Sequence, residues 1–246
     1  MTRWKWILGL TVALFVFAWS QSTSSYRFRM TVEIETPQGI RTGSSVMEEG
    51  AYKKLKLTSE EHGGGGYTHG EAVVVDLPDG PVFALLTLGG GEQPLGYVVT
   101  NALVPDMKRA DIDAYVATVR KLGRSWSGSV KADLPRLRDI GAGFRENRYE
   151  NGWPVMVRLR DIHDPKTVEL VDPQAIGVKR IWVETTSDPV TRGIEKRLGW
   201  LEGYNERSAQ WLEDYKKRGG RFDGIAISTN ELPDNLSADS FSTEIK

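Results

Sequence analysis

Strict alternation of apolar and polar side chains over residues 26–35 is the feature that most restricts the fold. In the segment YRFRMTVEIE an apolar side chain stands at every second position: Phe28, Met30, Val32 and Ile34. Successive side chains of a β-strand point to opposite faces, so this pattern predicts a strand with one buried face and one polar face. TPQG then supplies turn residues and IRTGSSVME follows, which predicts a β-hairpin over residues 26–48.

A second hairpin is predicted over residues 70–88. GEAVVVDL and PVFALLTL are joined by Pro78, Asp79 and Gly80, a proline-aspartate-glycine turn between two apolar runs. Their continuous hydrophobicity predicts central strands that are covered on both faces. Two further strands are predicted at VMVRLRDI, residues 155–162, and at VKRIWVET, residues 178–185.

Helical periodicity appears in two places. Ile112, Tyr115, Val116 and Val119 recur at helical spacing, and they predict a helix over about residues 107–122 that Asp106 or Asp111 caps. Residues 191–218 predict one long helix or two short ones. Together with the hairpins, these segments predict an α+β fold in which an antiparallel sheet of β-hairpins is packed by two or three helices. We expect a single domain over residues 21–228 and a disordered polar tail over residues 229–246.

The bulk composition excludes several classes of function. The 246 residues include 33 acidic and 32 basic side chains, for a formal net charge of −1, so the electrostatics give no reason to expect binding to nucleic acid. The chain has no cysteine, which excludes disulfides, thiolate nucleophiles and cysteine-based zinc sites. The sequence predicts no cofactor.

The first 20 residues have the pattern of an export signal. Arg3 and Lys5 precede an apolar run over residues 6–19, and a Ser/Thr-rich stretch follows it. As a helix this run spans roughly 21 Å, less than the roughly 30 Å of a hydrocarbon core, which favours a signal peptide cleaved near Ser20. Trp6 and Trp19 mark its two ends, as in a transmembrane helix retained in the inner membrane. Both alternatives place the remaining chain in the periplasm.

The stretch EEHGGGGYTHGE, residues 60–71, combines four consecutive glycines with two of the three histidines of the chain. A phosphate-binding loop would need a lysine and a helix after the glycines, and neither follows. The tract therefore predicts a flexible exposed loop between strands. The alternative is a metal site in which His62 and His69 are ligands.

Three acidic residues on predicted strands are candidates for carboxylate chemistry: Glu33, Glu71 and Asp76. If these strands are neighbours, the carboxylates could face one cleft and act as a pair in hydrolysis. The simpler interpretation is that each is solvated on the polar face of its strand.

Three tryptophans are candidates for a ligand or partner surface. Trp126 and Trp153 lie in loop-like sequence beside glycine, and Trp182 shares its predicted strand face with Arg180 and Glu184. Exposed rings of this kind stack on sugars or anchor a protein partner. The simpler interpretation is that they close the edge of a small core.

Four blocks of the sequence stand out: YRFRMTVEIETPQGIRTGSSVME, GEAVVVDL, LRDIHDPKTVELVDP and VKRIWVETTSDPVTRGIEKRLGWL. With these blocks the chain resembles an uncharacterised family of short exported or membrane-anchored proteins of Gram-negative bacteria, over roughly residues 1–202. The chain departs from that family's pattern at His163 and Gly199, which counts against an essential role for His163. The resemblance implies a periplasm-facing protein and assigns no activity to any residue.

The sequence thus favours an exported, possibly membrane-tethered envelope protein that acts as a non-enzymatic binding or interaction module. Its expected partner is an envelope protein or a cell-wall component. The alternative is a periplasmic hydrolase that uses paired carboxylates or a histidine-bound metal.

Overall fold

A computed structural model describes residues 23–54, 63–88, 95–105, 111–124, 130–134, 153–217 and 236–245. The strands are β1 (Thr23–Thr36), β2 (Gly39–Lys53), β3 (Gly64–His69), β4 (Val73–Leu77), β5 (Gly80–Leu88), β6 (Lys131–Asp133), β7 (Pro154–Leu159), β8 (Val168–Leu170) and β9 (Val178–Thr185). The α-helices are α1 (Leu95–Leu103), α2 (Ile112–Gly123), α3 (Tyr204–Lys217) and α4 (Ala238–Phe241).

The strands form two antiparallel sheets. The five-stranded sheet has the order β3-β2-β1-β9-β6, and the four-stranded sheet has the order β4-β5-β7-β8. Both predicted hairpins are confirmed: β1 pairs with β2 from Thr36 opposite Gly39 onwards, and β4 pairs with β5 from Leu77 opposite Gly80 onwards. The α+β class is therefore confirmed, and the hairpins are divided between two sheets.

The main core lies between the two sheets. The alternating side chains of β1 face it as predicted, since Phe28, Met30, Val32 and Ile34 are all fully buried. Val73, Val75 and Val82 of the four-stranded sheet and apolar residues of α1 and α2 complete the same cluster. At Gly43 in β2 an added Cβ would overlap the carbonyl group of Val74, so glycine allows the two sheets to approach closely there.

Helix α2 confirms the second half of the helix predicted over residues 107–122. The side chain of Asp111 caps it by accepting hydrogen bonds from the backbone amides of Asp113 and Ala114. Tyr115, Val116 and Val119 are buried at the predicted helical spacing, whereas residues 106–110 lie outside the described part of the chain. Helix α1 was not predicted, since the sequence interpretation places no element between the second hairpin and the helix at about residues 107–122.

The helix predicted to begin near residue 191 begins instead at Tyr204. Two short 3-10 turns precede it, Ile194–Lys196 and Gly199–Leu201. Gly193 and Gly203 have positive φ angles of 121° and 68°, outside the α-helical region, so the chain turns at each of them. The apolar residues of this stretch, among them Ile194, pack on the far face of the four-stranded sheet.

The predicted disorder of the tail is wrong for residues 236–245. Phe241 of α4 is fully buried, and its ring lies 6.1 Å from that of Phe83 and 5.4 Å from that of Trp200. The backbone amide of Ala72 donates to the Phe241 carbonyl oxygen over 2.8 Å. A few apolar residues in a polar stretch are thus enough to close the far face of the four-stranded sheet. Residues 229–235 lie outside the described part.

The predicted export segment, residues 1–20, also lies outside the described residues. Among the residues that are described, no helix combines the length and the apolar character needed to cross a membrane.

We expect Phe241→Ala in the full-length chain to lower the free energy of unfolding by about 3–5 kcal/mol, because it leaves a cavity where three aromatic rings meet. Urea denaturation measures the change. Leu170→Ala is the control, since that leucine is 58% exposed and its truncation should cost less than about 0.5 kcal/mol. Equal effects of the two substitutions would contradict the packing of the C-terminal segment.

Candidate binding surface

The five-stranded sheet presents its polar side away from the core, and we call this side the outer face. No described helix or strand packs over it around Trp182. Its side chains come from four neighbouring strands: Arg27, Arg29, Thr31 and Glu33 of β1, Ser44 and Glu48 of β2, Arg180, Trp182 and Glu184 of β9, and Lys131 and Asp133 of β6.

Trp182 lies half-buried in the middle of this face, between Thr31 and Asp133 on the neighbouring strands. The guanidinium carbon of Arg180 lies 4.5 Å from the centre of its ring, and Lys131 Nζ lies 4.9 Å from it. Arg180 precedes Trp182 by two positions on β9, and Lys131 stands opposite Glu184, two positions after it. The two cations therefore approach the ring from opposite directions along β9. Each cation–π contact contributes about 0.5–1 kcal/mol at exposed sites.

Charges of both signs alternate across the outer face. Arg27 pairs with Glu48 at 3.3 Å, and Arg180 pairs with Asp133 at 2.8 Å. Arg29 Nε lies 4.0 Å from Glu184. These partners are all partly exposed, so each pair contributes little to the stability of the fold. Their effect is to give the face a mixed, nearly balanced charge pattern.

The chain after β9 runs along one end of this face. Arg27 donates to the carbonyl oxygens of Ser187 and Asp188, and Arg29 forms an ion pair with the Asp188 carboxylate. The segment then reaches the edge of β2, where the Thr191 amide donates to the Val46 carbonyl oxygen over 2.9 Å. This end of the face is thereby occupied, and the region around Trp182 is the part that stays open among the described elements.

The other two candidate tryptophans do not join Trp182. Trp153 is only 4% exposed, belongs to the main core and donates from Nε1 to the Leu134 carbonyl oxygen over 3.0 Å. Its assignment to a partner surface is therefore wrong, because its indole N–H finds a backbone acceptor inside the protein. Trp126 lies outside the described residues.

Glu71 is buried and fixes the chain near the first 3-10 turn. Its Oε1 accepts a hydrogen bond from the Gly193 amide over 2.8 Å, and its Oε2 accepts one from the Ile194 amide over 3.1 Å. Burial raises the pKa of the Glu71 carboxyl, and the two backbone hydrogen bonds oppose that rise. This geometry gives Glu71 a structural task, since both of its oxygens are engaged by backbone amides.

Asp76 and Glu33 lie in different places. Asp76 forms a bidentate pair with Arg197 at 2.6 and 2.9 Å, and this arginine lowers the pKa of the Asp76 carboxyl. Glu33 lies on the outer face, opposite Arg180. Glu71 and Asp76 bind the segment after β9 that packs on the far face of the four-stranded sheet. Glu33 lies on the other side of the main core, on the outer face. The three candidate carboxylates therefore do not form one site.

The glycine tract is a strand where the structure describes it, so the loop interpretation is wrong for Gly64–Gly66. These glycines begin β3, which pairs with β2 at the edge of the five-stranded sheet. A Cβ at Gly64 would overlap the Tyr52 carbonyl oxygen, so close approach rather than flexibility explains the absence of a side chain there. His69 ends β3 with its ring 4.9 Å from that of Tyr67. Within the described residues no group of three metal-binding side chains occurs, and His62 lies outside them.

A buried carboxyl that the sequence interpretation missed lies on the core side of β2. Glu49 has no exposed surface. Its Oε1 accepts a hydrogen bond from the Tyr115 hydroxyl, and its Oε2 accepts one from the Thr68 hydroxyl over 2.7 Å. The Tyr26 and Thr100 hydroxyls lie 2.8 Å from each other in the same polar cluster.

The surroundings in this cluster change the pKa values of its carboxyl and its tyrosine hydroxyls. Burial raises the pKa of the Glu49 carboxyl from 4.5 to about 7, and the hydrogen bonds from Tyr115 and Thr68 oppose that rise. Burial and the neighbouring Glu49 charge also raise the pKa values of Tyr26 and Tyr115 well above the usual tyrosine value.

A signal for this cluster is present in the sequence. Met47, Glu49 and Ala51 share one face of β2, and the two apolar residues on either side are buried. An acidic residue flanked at i−2 and i+2 by core residues breaks the two-residue alternation and so indicates a buried acid. Its hydroxyl partners come from β3 and α2, and only the tertiary fold could identify them.

Comparisons with known proteins give no assignment: no family model, curated protein or solved structure matches the chain.

We expect Glu71→Gln to lower the free energy of unfolding by about 1–3 kcal/mol, because the amide nitrogen of glutamine cannot accept the hydrogen bond that one carboxylate oxygen accepts from the backbone. Asp76→Asn is the comparison, and it should cost less than about 1 kcal/mol because the Asp76–Arg197 pair is largely exposed. Urea denaturation of the full-length variants measures both. A Glu71→Gln protein as stable as the wild type would contradict the structural role of this carboxylate.

Proposed function

We propose that the chain is an exported binding module of the bacterial envelope, and that the outer face around Trp182 binds a protein partner. The observation that carries the proposal is the open polar face with one half-buried tryptophan held by Arg180 and Lys131. Tryptophan and arginine are enriched among the residues that dominate the binding energy of protein interfaces. The exported location is supported by the pattern of residues 1–20 and by the family resemblance.

The geometry favours a protein over a cell-wall glycan. A sugar ring stacks on a free aromatic face, whereas Arg180 and Lys131 lie over the ring of Trp182. The surrounding ion pairs include Arg180–Asp133 and Arg29–Glu184, which give alternating charge rather than a uniformly basic surface for a polyanion. A protein surface with a complementary mixed pattern fits this face best, because alternating charges fix the register of two protein surfaces.

The hydrolase hypothesis draws no support from the candidate carboxylates. Both oxygens of Glu71 accept from backbone amides, and both oxygens of Asp76 accept from Arg197. A general acid or base needs an oxygen within reach of the substrate. Binding is therefore the function that the arrangement supports best.

Site-specific photocrosslinking in cells tests the proposal with the full-length chain. A photoreactive residue replaces Ser44, which is exposed on the outer face and shares a row of the sheet with Thr31 and Trp182. We expect a discrete protein adduct from position 44 that Trp182→Ala reduces at least tenfold, a loss of the size expected for a hot-spot residue.

The control places the same photoreactive residue at Leu170, which is exposed on β8 of the other sheet and should give no such adduct. An adduct that disappears after digestion of the cell wall would identify a glycan and contradict the protein partner. Equal adducts from both positions, or an adduct that is indifferent to Trp182→Ala, would contradict the proposed face.

A further inference from the structure

Glu49 is a buried acid whose hydrogen-bond partners in the described part of the chain are uncharged hydroxyls. Tyr26 of β1, Thr68 of β3 and Tyr115 of α2 face it, and Tyr97 and Thr100 of α1 lie beside them. The charged residue next to it on β2, Glu48, points to the outer face, where it pairs with Arg27. Among the described residues, no lysine, arginine or histidine forms an ion pair with Glu49. Within this part of the chain, an ionised Glu49 would therefore be a buried charge without a paired cation, which is strongly unfavourable.

The first turn of α1 lies directly against this carboxyl. An added Cβ at Gly96 would overlap Glu49 Oε2, so the helix backbone itself is in contact with the acid. The Gly96 amide donates to the Thr68 hydroxyl over 3.3 Å, and that hydroxyl in turn donates to Glu49 Oε2. Thr100 adds a second connection, since its hydroxyl donates to the Gly96 carbonyl oxygen over 2.8 Å and also contacts Tyr26.

The protonated and ionised forms of Glu49 need different hydrogen-bond partners. A protonated Glu49 can donate to the Tyr115 hydroxyl and accept from the Thr68 hydroxyl, so the cluster satisfies it without movement. An ionised Glu49 has two hydroxyl donors and needs further donors to replace its lost hydration. Water can supply them only if a covering element withdraws, and the first turn of α1 is in contact with the carboxyl.

We infer that Glu49 is a proton-operated switch: while it is protonated, α1 stays packed on the five-stranded sheet, and when it loses the proton, the first turn of α1 withdraws and admits water. The switch goes beyond the binding function proposed above and does not depend on it. It belongs to the core side of the sheet, whereas the binding surface is on the outer face.

The pH range follows from the pKa of Glu49, which is raised from 4.5 to about 7 in the folded protein. Because the folded value lies above the unfolded value, the stabilisation is complete below pH 4.5, declines as the pH rises and is lost above about pH 7. A difference of this size corresponds to a change on the order of 100-fold in the folding equilibrium.

Hydrogen exchange of the full-length chain, corrected for intrinsic rates, tests the switch at pH 6 and pH 8. We expect peptides covering residues 95–103 to lose protection at least tenfold at pH 8 in the wild type, while those from β1 change little. Glu49→Gln, a neutral mimic of the protonated acid, should keep the protection at pH 8. Glu48→Gln is the matched control on the same strand, and it should behave like the wild type.

A second variant keeps the test decisive if Glu49→Gln fails to fold. Tyr115→Phe removes a hydroxyl that lowers the pKa of Glu49, so the loss of protection should move to higher pH. The switch is overturned if the wild type and Glu49→Gln lose protection equally at pH 8. It is also overturned if Tyr115→Phe leaves the transition in place or moves it to lower pH.

Discussion

The two faces of β1 are the constraint on which the rest of the structure depends. This strand lies in the middle of the five-stranded sheet and pairs with β2 and β9. Its inner side chains, Phe28, Met30, Val32 and Ile34, are fully buried and build the core against the four-stranded sheet. A shift of one residue in register would send all of them to the other face. The same alternation therefore determines which polar side chains surround Trp182, so the core and the proposed binding surface have a common origin.

Two buried acids in this protein show how differently carboxylates are accommodated. Glu71 is held by two backbone amides, which satisfy both of its oxygens and make it part of the scaffold. Among the described residues the donors to Glu49 are hydroxyls, and these can accept as readily as they donate. Burial raises the pKa of both carboxyls, and the hydrogen bonds oppose that rise in each of them. The two acids therefore differ in the groups that hold them, which are backbone amides for Glu71 and side-chain hydroxyls for Glu49.

Local patterns predicted the elements that are governed by local rules. Alternation identified β1, the turn at Pro78 and Asp79 identified the second hairpin, and Asp111 was correctly placed before α2. The predictions that failed concern residues whose environment is set by contacts with distant parts of the chain. From the sequence alone Gly64 was interpreted as part of a flexible loop, whereas in the fold the Tyr52 carbonyl group lies against it. Phe241 was interpreted as part of a polar tail, whereas in the fold Phe83 and Trp200 enclose its ring. The hydroxyls around Glu49 come from elements that are distant in the sequence.

We propose that a partner in the envelope covers the region around Trp182. Hydroxyl-radical footprinting of the full-length chain, in intact cells and after purification, measures this directly, with the half-buried Trp200 on the far side of the four-stranded sheet as the internal reference. We expect oxidation of Trp182 relative to Trp200 to be several-fold lower in cells than in the purified protein. The same ratio in both states would contradict coverage of Trp182 by a partner.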